Sequence, residues 1–198
     1  MTIVLEASLP PEIRLALAYA PAEVRPVQLA AMAFDAKLRS VVGNAREVLL
    51  AQIKLAWWRE RLAETPDARP AGEPILAALA GWTGSVEPLL ALIDGWEAML
   101  DPDAPNPAAL AEGRAALGRG LAVQADAPDH AEAAGAALRA WSLACSGQGG
   151  SLPALSLPRN LRPLVVLYGL ARRRAGAMPL LEGPLALAAA VRIGIMGR

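Results

Sequence analysis

Residues 31–62, AMAFDAKLRSVVGNAREVLLAQIKLAWWRERL, decide the fold, because apolar side chains recur in them every three or four positions. This spacing predicts two helices, at about residues 22–42 and 45–64, separated by Gly43 and Asn44. The first helix carries one apolar stripe, formed by Val27, Ala31, Phe34, Leu38, Val41 and Val42. On the same helix Asp35 and Arg39 stand four residues apart, which predicts an ion pair between them.

The second of these helices is apolar on two sides. One face holds Leu49, Leu50, Ile53, Ala56 and Trp57, and the nearly opposite face holds Val48, Ala51, Leu55, Trp58 and Leu62. A helix that is apolar on both sides is usually packed between neighbours. We therefore expect the helix over residues 46–62 to lie at the centre of the fold, contacted on both faces. Glu60 falls in the first face, where we expect it to pair with an arginine such as Arg39 or Arg46, or to line a cavity.

Helical spacing continues through the rest of the chain, and nothing resembles alternating strands. Further helices are predicted at about 10–20, 73–81, 86–100, 107–124, 129–146, 161–175 and 184–196. The stretch 101–107, DPDAPNP, cannot be helical, and its end suits Asn106 as an N-cap before Pro107. Residues 146–158, with three glycines and two prolines, predict an internal loop. The expected fold is all-α, with a single domain over residues 1–198.

Composition limits the possible partners and compartments. The 19 basic and 19 acidic residues give a formal net charge of zero, which argues against nucleic-acid binding. Cys145 is the only cysteine, so we expect a reducing compartment. The first 14 residues lack the pattern of a signal peptide, and no run reaches 18 uninterrupted apolar residues. These features predict a cytoplasmic protein that meets a membrane, if at all, peripherally at the inner membrane.

Several strings, taken in order, resemble the squalene/phytoene synthase family. They are Ala33-Phe34, the WWRERL string at 57–62, the LLALIDGWE string at 89–97, and the Leu-Pro and Arg-Pro elements near 157–164. The likeness is closest to the branch that includes mitochondrial complex I assembly factors and their bacterial relatives. It implies a reduced isoprenoid-synthase fold, all-α throughout.

The family's metal-binding acids have no counterpart in this sequence. Its enzymes ionise a prenyl diphosphate with Mg²⁺ ions that are held by two carboxylate clusters. The first cluster falls here on Arg39, Ser40 and Gly43, and the second falls in residues 134–152, which contain no carboxylate. We therefore identify no catalytic, cofactor-binding or metal-ligating residue. The other carboxylate pairs, such as Asp94/Glu97, are read as solvated surface groups.

Two functions follow from this resemblance. The first is a non-catalytic binding or assembly protein, with a homodimer or a protein partner. The second is a divergent prenyl transferase acting on isoprenoid diphosphates, and only this one requires Mg²⁺. A cavity for an isoprenoid lipid is expected to be lined by Phe34, Leu38, Ile53, Trp57 and Glu60.

The C-terminal part of the chain is basic. Residues 159–198 carry seven arginines and one glutamate. Arg172, Arg173 and Arg174 follow an apolar segment that includes Leu164, Val165, Leu167, Tyr168 and Leu170. One interpretation is a helix end whose cations complement the helix dipole. The other is a basic amphipathic surface that binds anionic lipid.

Overall fold

The computed structural model describes residues 2–173 and 186–196, and within these residues every regular element is helical. The all-α prediction is therefore confirmed. The α-helices of the described residues are α1 (Thr2–Ala7), α2 (Pro11–Leu17), α3 (Arg25–Gly43), α4 (Val48–Ala63), α5 (Pro74–Ala78), α6 (Glu87–Glu97), α7 (Pro107–Gln124), α8 (Ala131–Cys145), α9 (Arg162–Arg173) and α10 (Ala186–Met196). Short 3₁₀ turns lie at Pro66–Ala68, Leu79–Gly81, Pro128–His130 and Arg159–Leu161.

Helix boundaries follow local chemistry. The α3 helix spans Arg25–Gly43, so it ends one residue beyond the predicted end at about residue 42. The α7 helix begins at Pro107, and the Asn106 side chain accepts a hydrogen bond of 3.0 Å from the Ala109 backbone N–H. That bond satisfies one of the backbone donors left free at the start of every helix. Only the six-residue α1 has no counterpart among the predicted helices.

The α7 helix is the helix that packs closely on two neighbours, α6 and α8. A Cβ atom placed on Gly113 would lie 2.6 Å from the Ala91 carbonyl oxygen of α6. A Cβ on Gly118 would lie 2.5 Å from the Ala134 carbonyl oxygen of α8. Real side chains do not tolerate such distances, so glycine permits the three helices to approach this closely. Three closely packed helices then form one wall of the core.

The α4 helix is not at the centre, and this part of the sequence prediction is wrong. It packs on α3 and α6 through Ala51, Leu55, Trp58 and Leu62, which are buried. The opposite face is open: Leu49 is 63% exposed and Ile53 is 56% exposed. The apolar pattern on both sides was read as contact on both sides, yet a sequence pattern cannot show whether a second neighbour exists.

The α9 helix is buried over most of its length among α2, α8 and α10. Residues 146–158, the predicted loop, contain no helix or strand. The Tyr168 hydroxyl of α9 donates a hydrogen bond of 2.9 Å to the Pro153 carbonyl of this loop, which holds the loop against the helices. None of the described helices has both the length and the apolar character needed to cross a membrane.

Candidate functional site

A buried ion pair joins α3 to α7 in the core. The Arg114 Nη2 atom lies 3.0 Å from Asp35 Oδ2, and Arg114 Nε donates to the same oxygen at 3.1 Å. The Trp96 indole N–H of α6 donates to Asp35 Oδ1 at 2.7 Å. Both charged side chains are buried, and each has several hydrogen-bond partners, as a buried charge requires.

The Arg114 guanidinium also lies over two aromatic rings. Its central carbon is 4.5 Å from the centroid of the Trp141 ring and 5.2 Å from that of Trp96. Its Nη1 donates to the Ser142 hydroxyl at 3.2 Å. We call Asp35, Trp96, Arg114, Trp141 and Ser142 the core cluster. It links α3, α6, α7 and α8, and its cation is stabilised by one carboxylate, one hydroxyl and two π faces.

The predicted pair between Asp35 and Arg39 is wrong. Asp35 is buried and faces Arg114, whereas Arg39 is exposed to solvent. Four-residue spacing places two side chains near each other only if both leave the helix in similar directions, and burial of Asp35 separates them. Asp35 is paired with an arginine, but that arginine is Arg114 of α7.

Two carboxylates of α6, Asp94 and Glu97, also form ion pairs with an arginine. Arg59 Nη2 of α4 lies 2.5 Å from both Asp94 Oδ1 and Glu97 Oε2 of α6. Burial alone would lower the pKa of Arg59, but the hydrogen bonds and charges of the two carboxylates outweigh it, so this pKa is raised. Asp94 is largely exposed, in agreement with the expected surface position, and its role here is to attach α4 to α6.

These arrangements do not fit a Mg²⁺ site. Mg²⁺ needs oxygen ligands with free lone pairs, yet Asp35, the only buried carboxylate of the described residues, is occupied by Trp96 and Arg114. The one buried polar atom of the core cluster without a hydrogen-bond partner is the Trp141 indole N–H, which is a donor and cannot ligate a cation. Within residues 2–173 and 186–196, no three His, Cys, Asp or Glu side chains are grouped as a metal site requires.

The predicted cavity residues are divided between core and surface. Ile53 and Trp57 line an open pocket of about 530 Å³ between α3 and α4, together with Lys37, Val41 and Lys54, among others. Phe34 and Leu38 are fully buried, and neither belongs to the lining of that pocket. Glu60 is exposed and lies 3.4 Å from Arg61, so its partner is neither Arg39 nor Arg46.

Adjacent tryptophans separate the pocket from the core. Trp58 is buried, with its ring edge-on to Phe34 at a centroid distance of 5.2 Å. Trp57 packs edge-on against Trp58 at 5.1 Å and is 36% exposed. The Trp57–Trp58 pair therefore forms the wall between the pocket and the α3 core, and Trp57 is the member that faces outward.

The basic segment of α9 differs from the predicted amphipathic surface. Arg172 and Arg173 are exposed, whereas Arg174 lies outside the described residues. The apolar side chains that were expected to enter a lipid layer are all buried: Leu164, Val165, Leu167, Tyr168 and Leu170. Burial raises the pKa of the Tyr168 hydroxyl, and the charge of Arg172 partly opposes that change. Any lipid contact here must rest on the arginine charges alone.

The core cluster was missed by sequence reasoning. Arg114 lies 79 positions from Asp35, and a lone arginine on a helix is normally read as solvated. A usable signal was present, since Arg114 stands between Ala111, Gly113, Ala115 and Gly118, on a helix whose small residues indicate close packing.

The described residues form an all-α fold that encloses the core cluster in its interior. The squalene/phytoene synthase family model matches residues 12–112, just over half of the chain, and the protein belongs to that family. No curated protein and no solved structure matched. The match includes Asp35 and Trp96, whereas Arg114, Trp141 and Ser142 follow it in the chain.

Proposed function

We propose that this protein is a non-catalytic squalene/phytoene-synthase-like protein that acts as a binding or assembly factor. The observation that carries the proposal is the pairing of Asp35 with Arg114 and Trp96, which occupies the buried carboxylate of the described core. Ionisation of an isoprenoid diphosphate needs cations that neutralise the leaving pyrophosphate as its charge develops. The core cluster places a guanidinium beside the carboxylate that such cations would need.

The positions expected to hold the first metal cluster also support a non-catalytic role. Arg39 and Ser40 are exposed at the end of α3, and Gly43 closes that helix. None of the three supplies a carboxylate. Residues 134–152, where the second cluster is expected, contain none either.

A binding role is supported by the surface of α4. Its open face carries Leu49, Leu50, Ile53 and Trp57, and it adjoins the pocket between α3 and α4. We call these four residues the open face. Contiguous exposed apolar side chains of this kind usually mark a contact surface. The single cysteine and the zero net charge suit a cytoplasmic location for such a protein.

The direct test is release of pyrophosphate from farnesyl and geranylgeranyl diphosphate in the presence of Mg²⁺. We expect no release above the background without protein, while a catalytic family member in the same assay is active. Metal-dependent release that is abolished by Asp94→Asn or Glu97→Gln would overturn the proposal. That result would establish the alternative, a divergent prenyl transferase.

A further inference from the structure

The corner between α3 and α4 is exposed to solvent. Every residue from Gly43 to Leu50 is exposed, and Gln52, Ile53 and Lys54 continue the exposed surface. The open face runs along this same part of α4. The side chains of the open face can therefore enter an apolar environment without any rearrangement of the core.

The charge around the open face is positive. Residues 37–54 include Lys37, Arg39, Arg46 and Lys54 against Glu47 alone, a net charge of +3. All five of these side chains are exposed. Glu73, which also lines the adjoining pocket, lies 4.0 Å from Lys37 and offsets its charge. The cations that remain are Arg39, Arg46 and Lys54 against Glu47, a net charge of +2.

The positive charge of this surface indicates which kind of partner can bind it. A second copy of this chain would bring like charges together, because a two-fold interface places the same patch on both sides. An anionic surface attracts the patch instead, and the exposed Lys54 at the edge of the adjoining pocket can receive a phosphate group. A helix with Leu, Ile and Trp on one face and cations beside it is typical of proteins that lie in the membrane interface.

We propose that the α3–α4 corner docks on an anionic lipid bilayer, with the open face in the interfacial layer and Arg46 and Lys54 on lipid phosphates. This inference rests on the proposed function, in which α4 carries the binding surface. It assigns the membrane contact to α4 and not to the end of α9, where the apolar side chains are buried. The binding is weak, reversible and sensitive to salt, because only a few side chains take part.

The test is co-sedimentation of the full chain with vesicles of phosphatidylcholine alone or mixed with phosphatidylglycerol. Wild type binds the mixed vesicles, and much less the neutral ones. The double variant Leu49→Gln with Leu50→Gln loses about tenfold or more in partition, because each leucine contributes substantial apolar area to the interface. The matched control is Ile195→Gln with Met196→Gln, which removes two apolar side chains of α10 that are at least as exposed as Leu49 and Leu50 and leaves binding unchanged.

A charge series separates the two basic regions. Arg46→Gln with Lys54→Gln lowers partition several-fold and reduces its salt dependence. Arg172→Gln with Arg173→Gln leaves partition close to wild type. Circular dichroism checks that each variant is folded, and Ile53→Gln replaces the double leucine variant if that variant loses helix content.

Three results would overturn the inference. They are no binding of wild type to anionic vesicles, equal binding by the leucine double variant, and a larger loss from the α9 variant than from the α4 charge variant. Light scattering could supply a further contradicting result. If wild type is a dimer and the leucine double variant is a monomer, the open face binds a second copy of the chain and not a membrane. The pyrophosphate assay is independent of all of these, so failure of the membrane contact leaves the non-catalytic assignment to be judged separately.

Discussion

Asp35 and Arg114 lie in the core with their charges paired and their hydrogen bonds made, whereas α4 leaves Leu49, Leu50, Ile53 and Trp57 open to solvent. The first region has polar groups where a packed interior would be apolar. The second has apolar groups where a surface would be polar. The contrast shows that the buried charges of the core are paired with each other, while apolar side chains without a neighbour lie on the surface of α4. Interactions with other molecules are therefore expected at α4.

The largest expected effect comes from the core cluster. Arg114→Met leaves Asp35 buried without its cation, and we expect a loss of about 3–5 kcal/mol in the free energy of unfolding. Arg119→Met on the same helix is the control, because the ion pair of Arg119 with the exposed Glu132 is long, at 3.8 Å. Urea unfolding should show a loss below about 1 kcal/mol for the control. Similar losses of stability in the two variants would mean that the buried ion pair contributes no more to the free energy of unfolding than the exposed one.

The two faces of α4 provide the next comparison. Leu55→Ala removes a fully buried side chain and should cost about 2–5 kcal/mol, since it leaves a cavity. Ile53→Ala, two residues away on the open face, should change stability by less than about 0.5 kcal/mol. Urea unfolding of both variants measures the difference. A large loss from Ile53→Ala would show that a neighbour covers this face in solution.

A smaller effect is expected where α4 is attached to α6. Arg59→Gln removes the contacts with Asp94 and Glu97, and we expect a loss of about 1 kcal/mol because the pair is partly exposed to water. High salt should reduce the difference between wild type and variant. If salt leaves the difference unchanged, packing of the arginine stem and not its charge is responsible.

The smallest effect is a dependence on alkaline pH. Tyr168→Phe removes the hydrogen bond to Pro153 and should cost about 1 kcal/mol at neutral pH. Because burial raises the pKa of folded Tyr168 above its ordinary value of 10.0, the stabilisation is complete below pH 10.0 and is lost as pH rises through the folded pKa. The difference in the free energy of unfolding between wild type and Tyr168→Phe should therefore decrease above pH 10.0. A difference that stays constant through this pH range would contradict a stabilising hydrogen bond from Tyr168 to Pro153.

Much of the fold was predictable, because helix spacing and end signals are local. The bounds of α7 at 107–124 agree with the prediction, since Asn106 and Pro107 mark the start unambiguously. The α1 helix was missed because six residues give too short a pattern, and its stability depends on buried contacts such as that of Leu5.

The candidate site was less predictable, because it depends on contacts that are distant in the sequence. The partner of Asp35 is 79 positions away, and local spacing favoured Arg39 instead. The open face of α4 has the same residue types as its buried face, so only the fold distinguishes Ile53 from Leu55. Local patterns thus identify which helices exist, while long-range packing decides which of their side chains are available.

The most direct test of the central claim is a double-mutant cycle between Asp35 and Arg114, with Asp35→Asn, Arg114→Met and their combination measured by urea unfolding. If Asp35 is paired with Arg114, the double variant should lose less free energy of unfolding than the two single variants lose together. The expected coupling is about 2–3 kcal/mol. Additive losses, within about 0.5 kcal/mol, would show that Asp35 does not depend on Arg114. In that case the carboxylate is available to bind cations, and the account of a closed interior is wrong.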